Sequence, residues 1–442
     1  MPRLIKKFSS LLKDKLLHRI FVGGFWNSIG LIITKFLVCG ATVFFARYLT
    51  KTEFGKWSYL YGMLLTLLMF VDGPWSATVT KYVAEYRDQD KEKTGRLIAL
   101  YLIFMLPLAF IIAVIAFCFS KQIAIAINHE ELQNAITYFL LCLIPLGVIS
   151  ILKGVLNGLE EFKMCSLFFP LLSLSDVTIK CGGLLYRGFD GLIVATLLAT
   201  CCQLAIGVIF CYKAMQKHGV HLVFSGCTAL FNKLITFTLP NLFYIVLTCS
   251  GNMLVPSFFI SARGGAETMA TFGLMTQLQS ILSFLPLMIA APLLAILSNA
   301  FSENKDSAWK AFFRLTGILV GVLLFLGIVL ILLADPVMGI FGKNYAKSAD
   351  MLRLFVPAMI CQILCPFFNQ LFIALEKLWI MNFNRIVWLL VYVSCGWFLR
   401  DKGLIGIILA FLCSDLCWLT LHITAMVYLN RTSFCMKQNK YA

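Results

Sequence analysis

Runs of about 20 apolar residues recur from Ile20 to Leu429, separated by short polar stretches. A backbone in hydrocarbon must satisfy its own hydrogen bonds, which leaves helices and closed barrels. These runs are too long and too continuous for barrel strands, which alternate and span in about ten residues. The chain therefore reads as one all-α integral membrane protein. Composition agrees: of 442 residues, 60% are hydrophobic and 13% charged, against about half and a quarter in a soluble domain. Disorder, collagen, a coiled coil and a solvated basic nucleic-acid domain are excluded, so no nucleic acid is expected as a partner.

Twelve transmembrane helices follow, at 20–46, 57–79, 97–119, 135–156, 166–186, 192–212, 234–260, 269–297, 315–334, 352–374, 386–400 and 404–429. Pro107, Pro145, Pro170, Pro240, Pro256, Pro286, Pro292 and Pro366 lie in or near these spans and predict kinks. The loops fix orientation. Residues 1–19, 80–96, the 4–5 loop, 213–233, 298–314, the 10–11 loop and the tail carry 24 Lys and Arg, with Lys153 and Arg385 counted as loop-flanking. The opposite set carries 11, and Lys35 and Lys180 inside spans complete the 37. The positive-inside rule places the first set, with both termini, in the cytoplasm. The formal charge of +16 is thus read chiefly as orientation. In residues 3–17, Leu4, Ile5, Phe8, Leu11, Leu12 and Leu16 share a helical arc opposite Lys6, Lys7 and Lys13. Residues 1–19 therefore read as a basic amphipathic segment on the anionic leaflet. A signal peptide is disfavoured, because the following run is too long and lacks a small-x-small cleavage site. The 16 cysteines form no paired CxxC and lie mostly in apolar runs, so no metal is expected, and no cofactor either.

The two halves match at an offset of about 216 residues. Ala46-Arg47 answers Ala262-Arg263, Glu53-Phe54-Gly55 answers Thr271-Phe272-Gly273, and Gly158-Leu159-Glu160-Glu161 answers Ala374-Leu375-Glu376-Lys377. Six spans per half give both halves the same orientation, hence a parallel internal repeat of two six-helix lobes. The domain reading is an interfacial segment at 1–19, an N-terminal lobe at 20–212, a cytoplasmic linker at 213–233, a C-terminal lobe at 234–429 and a tail at 430–442. That layout suits an alternating-access transporter better than a channel or an enzyme.

Charges inside spans are costly and mark candidate sites. Span 1 gathers Asn27, Ser28, Thr34, Lys35 and Thr42 on about a third of its circumference. Lys35 lies too near mid-span to snorkel easily, and a cavity role is favoured for it. Span 5 gathers Ser166, Ser173, Asp176, Lys180, Gly183 and Arg187. Asp176 and Lys180 are one turn apart and can pair. Two readings stay open for this pair, a cavity role and a self-neutralised pair that glues helices. Asp72, in Val71-Asp72-Gly73-Pro74, reads as a helix break or cap, or as a balancing charge. Asp415 shares an arc with Trp418 and His422, as a structural trio or a proton relay. The second half adds uncharged stripes: Asn241, Tyr244, Thr248 and Asn252; Thr276, Gln277, Ser280 and Ser283; Gln362, Asn369 and Gln370. Cations in the first lobe and amides and hydroxyls in the second suit a substrate with an anionic head and a sugar portion. Polar glue between helices is the plainer reading. Walker A, GxSxG and HExxH sequences are absent, so neither an ATP motor nor an enzyme is expected.

Ala46-Arg47-Tyr48-Leu49 with Glu53-Phe54-Gly55, Asp72-Gly73 before Lys81-Tyr82-Val83-Ala84-Glu85-Tyr86, and Asn157-Gly158-Leu159-Glu160 resemble bacterial polysaccharide flippases. These O-antigen, Wzx-type transporters belong to the multidrug, oligosaccharidyl-lipid and polysaccharide exporter superfamily. The resemblance covers nearly the whole chain. It implies inversion of an undecaprenyl-pyrophosphate-linked oligosaccharide across the bacterial inner membrane, with membrane lipids and other polysaccharide assembly proteins as partners. Family arginines are lysines here at Lys35 and Lys81, and Lys lacks the bidentate fork of Arg. On this reading Lys35, Lys180 and Arg187 attract pyrophosphate. Asp72, Asp176 and Asp415 balance charge or carry protons, and Asn241, Asn252, Gln277 and Gln362 contact sugar. The rivals are a cation-coupled multidrug exporter and a membrane-embedded polysaccharide polymerase or ligase, which would want a larger outer loop.

Overall fold

The computed structural model describes residues 15–87, 89–225, 231–283, 305–375 and 377–438. All regular structure in them is helical. Twelve long helices follow one another: α1 (Lys15–Tyr48), α2 (Lys51–Tyr86), α3 (Lys91–Cys118), α4 in two pieces (Gln133–Leu141 and Leu143–Gly158), α5 (162–186), α6 (189–218), α7 (Phe231–Ile260), α8 (Gly265–Leu282), α9 (Lys305–Leu332), α10 (Ala349–Ala374), α11 (Leu378–Leu399) and α12 (Gly403–Gln438). The chain is a multi-pass membrane protein. The expected interfacial segment falls mostly outside the described residues, as does the end of the eighth span beyond Ser283.

The helices outrun the apolar spans, because local capping lets them continue past the hydrocarbon. Thr50 and Glu53 form a reciprocal capping box ahead of α2: Glu53 Oε2 accepts from the Thr50 N–H at 3.0 Å, and Thr50 Oγ1 accepts from the Glu53 N–H at 3.2 Å. Asp90 caps α3 by accepting from the Lys93 N–H at 2.8 Å. Between α5 and α6 the chain reverses within Arg187 and Gly188, whose dihedrals leave the helical region, with Gly188 at φ +58°. Only glycine adopts that conformation without strain. Close passage of Gly183 and Gly191 brings the two helices together, where a Cβ on Gly183 would lie 2.5 Å from the Gly191 carbonyl oxygen. Further along the hairpin, Gln203 Nε2 donates to the Leu172 carbonyl at 3.2 Å and the Phe168 and Phe210 rings meet at 5.5 Å.

Packing divides the chain into two compact units. The first holds α1 to Ala41, Leu67–Lys121 and Leu132–Asn241. Within it α2 and α4 run side by side on a glycine seam: Gly147 meets Val71, Gly154 meets Ser76 and Val79, and Gly158 meets Val83. The second holds Thr42–Thr66, Gln122–Glu131 and everything from Leu242 onward. Its aromatic core joins α9 to α10 through Trp309, Phe312, Phe367, Phe368 and Phe372. The division passes through α1 and α2 rather than between spans.

Candidate functional site

In the first unit the polar stripes of α1 and α5 face each other. Ser173 Oγ donates to the Thr34 carbonyl at 3.4 Å, and Gly30 passes the Ser166 backbone closely enough that a Cβ would lie 3.0 Å from Ser166 Cα. One and two turns along from Ser173, Asp176 Oδ2 and Lys180 Nζ pair at 2.8 Å, with side chains 16% and 5% exposed. The local i,i+4 pairing read from the sequence is therefore formed, inside the membrane-spanning part of α5. Lys35 follows Thr34 and is half-buried. Arg187 is exposed in the reversal after α5, two turns from Lys180.

A second charged cluster lies between α2 and α4. α2 is continuous through Asp72, so the expected break at Val71-Asp72-Gly73-Pro74 is not formed. Asp72 accepts a short hydrogen bond from Ser150 Oγ. Lys153, three residues after Ser150, interacts electrostatically with Asp72. Counting Lys153 as a loop-flanking charge is corrected: it lies within α4. The glycine seam sets this register, because it lets α2 and α4 approach at 147, 154 and 158 and so places Ser150 on Asp72.

The second unit adds a buried cation beside the uncharged stripes and Asp415. Arg385, also counted with a loop, is 3% exposed within α11. Its Nε donates to Thr248 Oγ1 at 2.9 Å. Its guanidinium carbon stands 3.6 Å from the Trp388 ring centroid and 4.5 Å from that of Trp418. The two rings stand 6.2 Å apart and are tilted by 55°, so the guanidinium makes a cation–π contact with each in a desolvated site. Trp388 Nε1 donates to Asp415 Oδ1 at 2.8 Å. His422 Nε2 lies 2.9 Å from Asn369 Oδ1, and Asn369 Nδ2 donates to the Tyr244 hydroxyl at 3.3 Å. Within this cluster Arg385 Nη1 and Asp415 Oδ2 are buried without a hydrogen-bond partner among the described residues. The trio of Asp415, Trp418 and His422 is thus brought together, and it encloses an arginine that periodicity did not single out. The available signal was Trp388 and Asn384 beside Arg385, which give α11 a polar face one turn deep. Asn252, Gln277 and Gln362 are half-buried on α7, α8 and α10. The side chain of Asn241 lies outside the described residues.

The residues that carried the family resemblance have structural work. Arg87, at the end of α2, donates to Glu160 at 2.8 Å and to the Gly158 carbonyl at 3.1 Å. The Lys81-to-Tyr86 segment is thereby clasped to the Asn157-to-Glu160 turn. In the second unit Arg47 Nε donates to the Ile340 carbonyl at 2.8 Å. Gly55 meets the Ala266 backbone, while Gly273 meets Ser58.

The sequence profile described as polysaccharide biosynthesis protein matches residues 20–293, more than half of the chain. The chain belongs to this family. Its fold is shared with solved transporters. An inward-facing multidrug resistance MATE family transporter of the MOP superfamily superposes with a TM-score of 0.77 at 15% identity, covering 92% of this chain and 99% of that one. A MOP superfamily transporter from Pyrococcus furiosus gives 0.67 at 16% identity over 93% and 96%. The lipid II flippase MurJ, in an inward closed conformation, gives 0.71 at 11% identity over 90% and 87%. At these identities the likeness is one of fold. No curated protein matches the sequence. The polysaccharide family and the transporter fold together agree with the class read from the residues.

Proposed function

We propose that this member of the polysaccharide biosynthesis family is a flippase. It moves a polyprenyl-pyrophosphate-linked oligosaccharide from the cytoplasmic to the periplasmic leaflet by alternating access, for O-antigen or another surface polysaccharide. The observation that carries the reading is the family match, which covers all of the first unit's charged helices. The buried Lys180 supports it, because a cation held at membrane depth suits an anionic head group. Lys35, Lys180 and Arg187 attract the pyrophosphate, Asp176 balances Lys180 in the empty site, and Asn241, Asn252, Gln277 and Gln362 meet the sugar. Asp72 balances Lys153, and Asp415 balances Arg385. The protein sits in the bacterial inner membrane with both termini cytoplasmic and works beside other polysaccharide assembly proteins.

Deleting the gene tests the reading. Lipid-linked repeat units should accumulate unflipped and surface polysaccharide should vanish, while sensitivity to lipophilic cations stays unchanged. Normal surface glycan with raised drug sensitivity would instead make the chain a multidrug exporter.

A further inference from the structure

A cleft of about 310 Å³ opens at one end of the α5–α6 hairpin, lined by Lys163, Met164, Leu167, Phe210 and Lys213. Lys163 is the second residue of α5, and Lys213 lies five residues before the end of α6. Both are exposed, and among the described residues neither has an ion pair. The nearest carboxylate in sequence, Glu161, is already engaged by Lys217 at 2.6 Å and His218 at 2.8 Å. Beneath Lys163 the same face of α5 exposes Leu167, Leu171 and Leu174, at 63%, 41% and 47%. Beneath Lys213, α6 exposes Val208 and Ile209. In a membrane protein such an exposed apolar face contacts acyl chains. The polar stripe of α5 points elsewhere, since Ser173 and Lys180 are buried.

Two exposed lysines thus line one concavity at the end of the hairpin, above an acyl-facing surface. We propose that this cleft binds the head group of an anionic phospholipid of the leaflet on that side, with the lysines on its phosphate. Its first methylenes would lie against Leu167 and Phe210. Basic clefts between transmembrane helices are suited to such head groups. Solitary lysines that merely snorkel would extend into water independently; here both line one cleft. The charge distribution makes this leaflet cytoplasmic, and the site stands whether or not a lipid-linked sugar is the cargo.

Native mass spectrometry of the delipidated full chain tests the site, with phosphatidylglycerol and phosphatidylcholine titrated in parallel. One phosphatidylglycerol should be retained at least about tenfold more tightly than phosphatidylcholine, a gap of about 1.4 kcal/mol. The Lys163→Gln/Lys213→Gln variant should lose that preference, and Lys163→Arg/Lys213→Arg should keep it. Melting in detergent confirms that the variants fold. Should the double variant fail to fold, each single glutamine variant should lose part of the preference. Equal retention of both lipids by the wild type would overturn the proposal. So would an unchanged preference in a folded glutamine variant.

Discussion

Arg385 shows how a single side chain decides the character of a whole cluster. Its guanidinium touches two tryptophan rings, and one of them, Trp388, donates to Asp415. Arg385→Met would remove the donor to Thr248 Oγ1 and the cation in contact with Trp388 and Trp418. A hydrogen bond to a charged group contributes about 1.5–3 kcal/mol, so this variant should melt lower than wild type in detergent. Trp388→Phe keeps a ring under the guanidinium and removes one N–H from Asp415. It should lower stability by about 1–3 kcal/mol, the cost of leaving a buried acceptor unsatisfied. Equal melting of Trp388→Phe and wild type would show that this hydrogen bond contributes nothing. The sequence made Asp176 and Lys180 legible because both partners lie on one helix at i,i+4. Arg385 and Lys153 were not legible, because their partners come from other helices. A basic residue near the end of an apolar run looks the same whether it snorkels or turns inward.

The helices were legible for a different reason. Apolar length predicts a span without any knowledge of its neighbours, and all twelve spans have a helix among the described residues. Their ends were not, since capping and turn chemistry extend them: Thr50-x-x-Glu53 starts α2 six residues before the expected span. The recurring Phe-Gly of the two halves was legible as a repeat, and its cause lies in close approach. A Cβ on Gly55 would lie 1.6 Å from the Ala266 carbonyl oxygen, whereas one on Gly62 of the same helix meets nothing within 4 Å. Gly55→Ala should therefore destabilise by at least about 1–3 kcal/mol. Gly62→Ala should be neutral or stabilise by up to about 1 kcal/mol through helix propensity. Melting both variants compares them directly, and equal behaviour would refute the packing role. The turn between α4 and α5 should respond to pH. Burial pushes the Glu161 carboxyl up, but hydrogen bonds and charge from Lys217 and His218 outweigh it and hold it below the ordinary carboxylate range. A carboxylate whose folded value is lowered stabilises above its unfolded value, near pH 4.3, and loses that contribution as pH falls through the folded value. Wild type should thus lose stability on acidification below about pH 4 by more than Glu161→Gln does. Matching acid profiles would remove Glu161 from the account.

At the scale of the molecule, transport requires that the charged helices serve a moving substrate rather than only each other. The two compact units were only partly legible, because the repeat marks sequence halves whereas packing also assigns Thr42–Thr66 and Gln122–Glu131 to the second unit. Orientation rests on loop charge, and removing Lys153 and Arg385 from that count leaves the excess on the same side. Reporter fusions after Lys163 and Gln216 should read cytoplasmic, and fusions after Thr52, Gly264 and Asn344 periplasmic. A periplasmic reading at Lys163 would invert the whole assignment. The most direct test of the central claim is flipping of a fluorescent polyprenyl-pyrophosphate oligosaccharide in proteoliposomes, by wild type and by Asp176→Asn/Lys180→Gln. The double variant keeps the pair neutral, so it should fold and melt like wild type. Wild type should expose the lipid to the opposite leaflet, and the double variant should not. Flipping by the double variant at the wild-type rate would contradict the role of Lys180 in holding pyrophosphate, and no flipping by well-folded wild type would contradict the flippase itself.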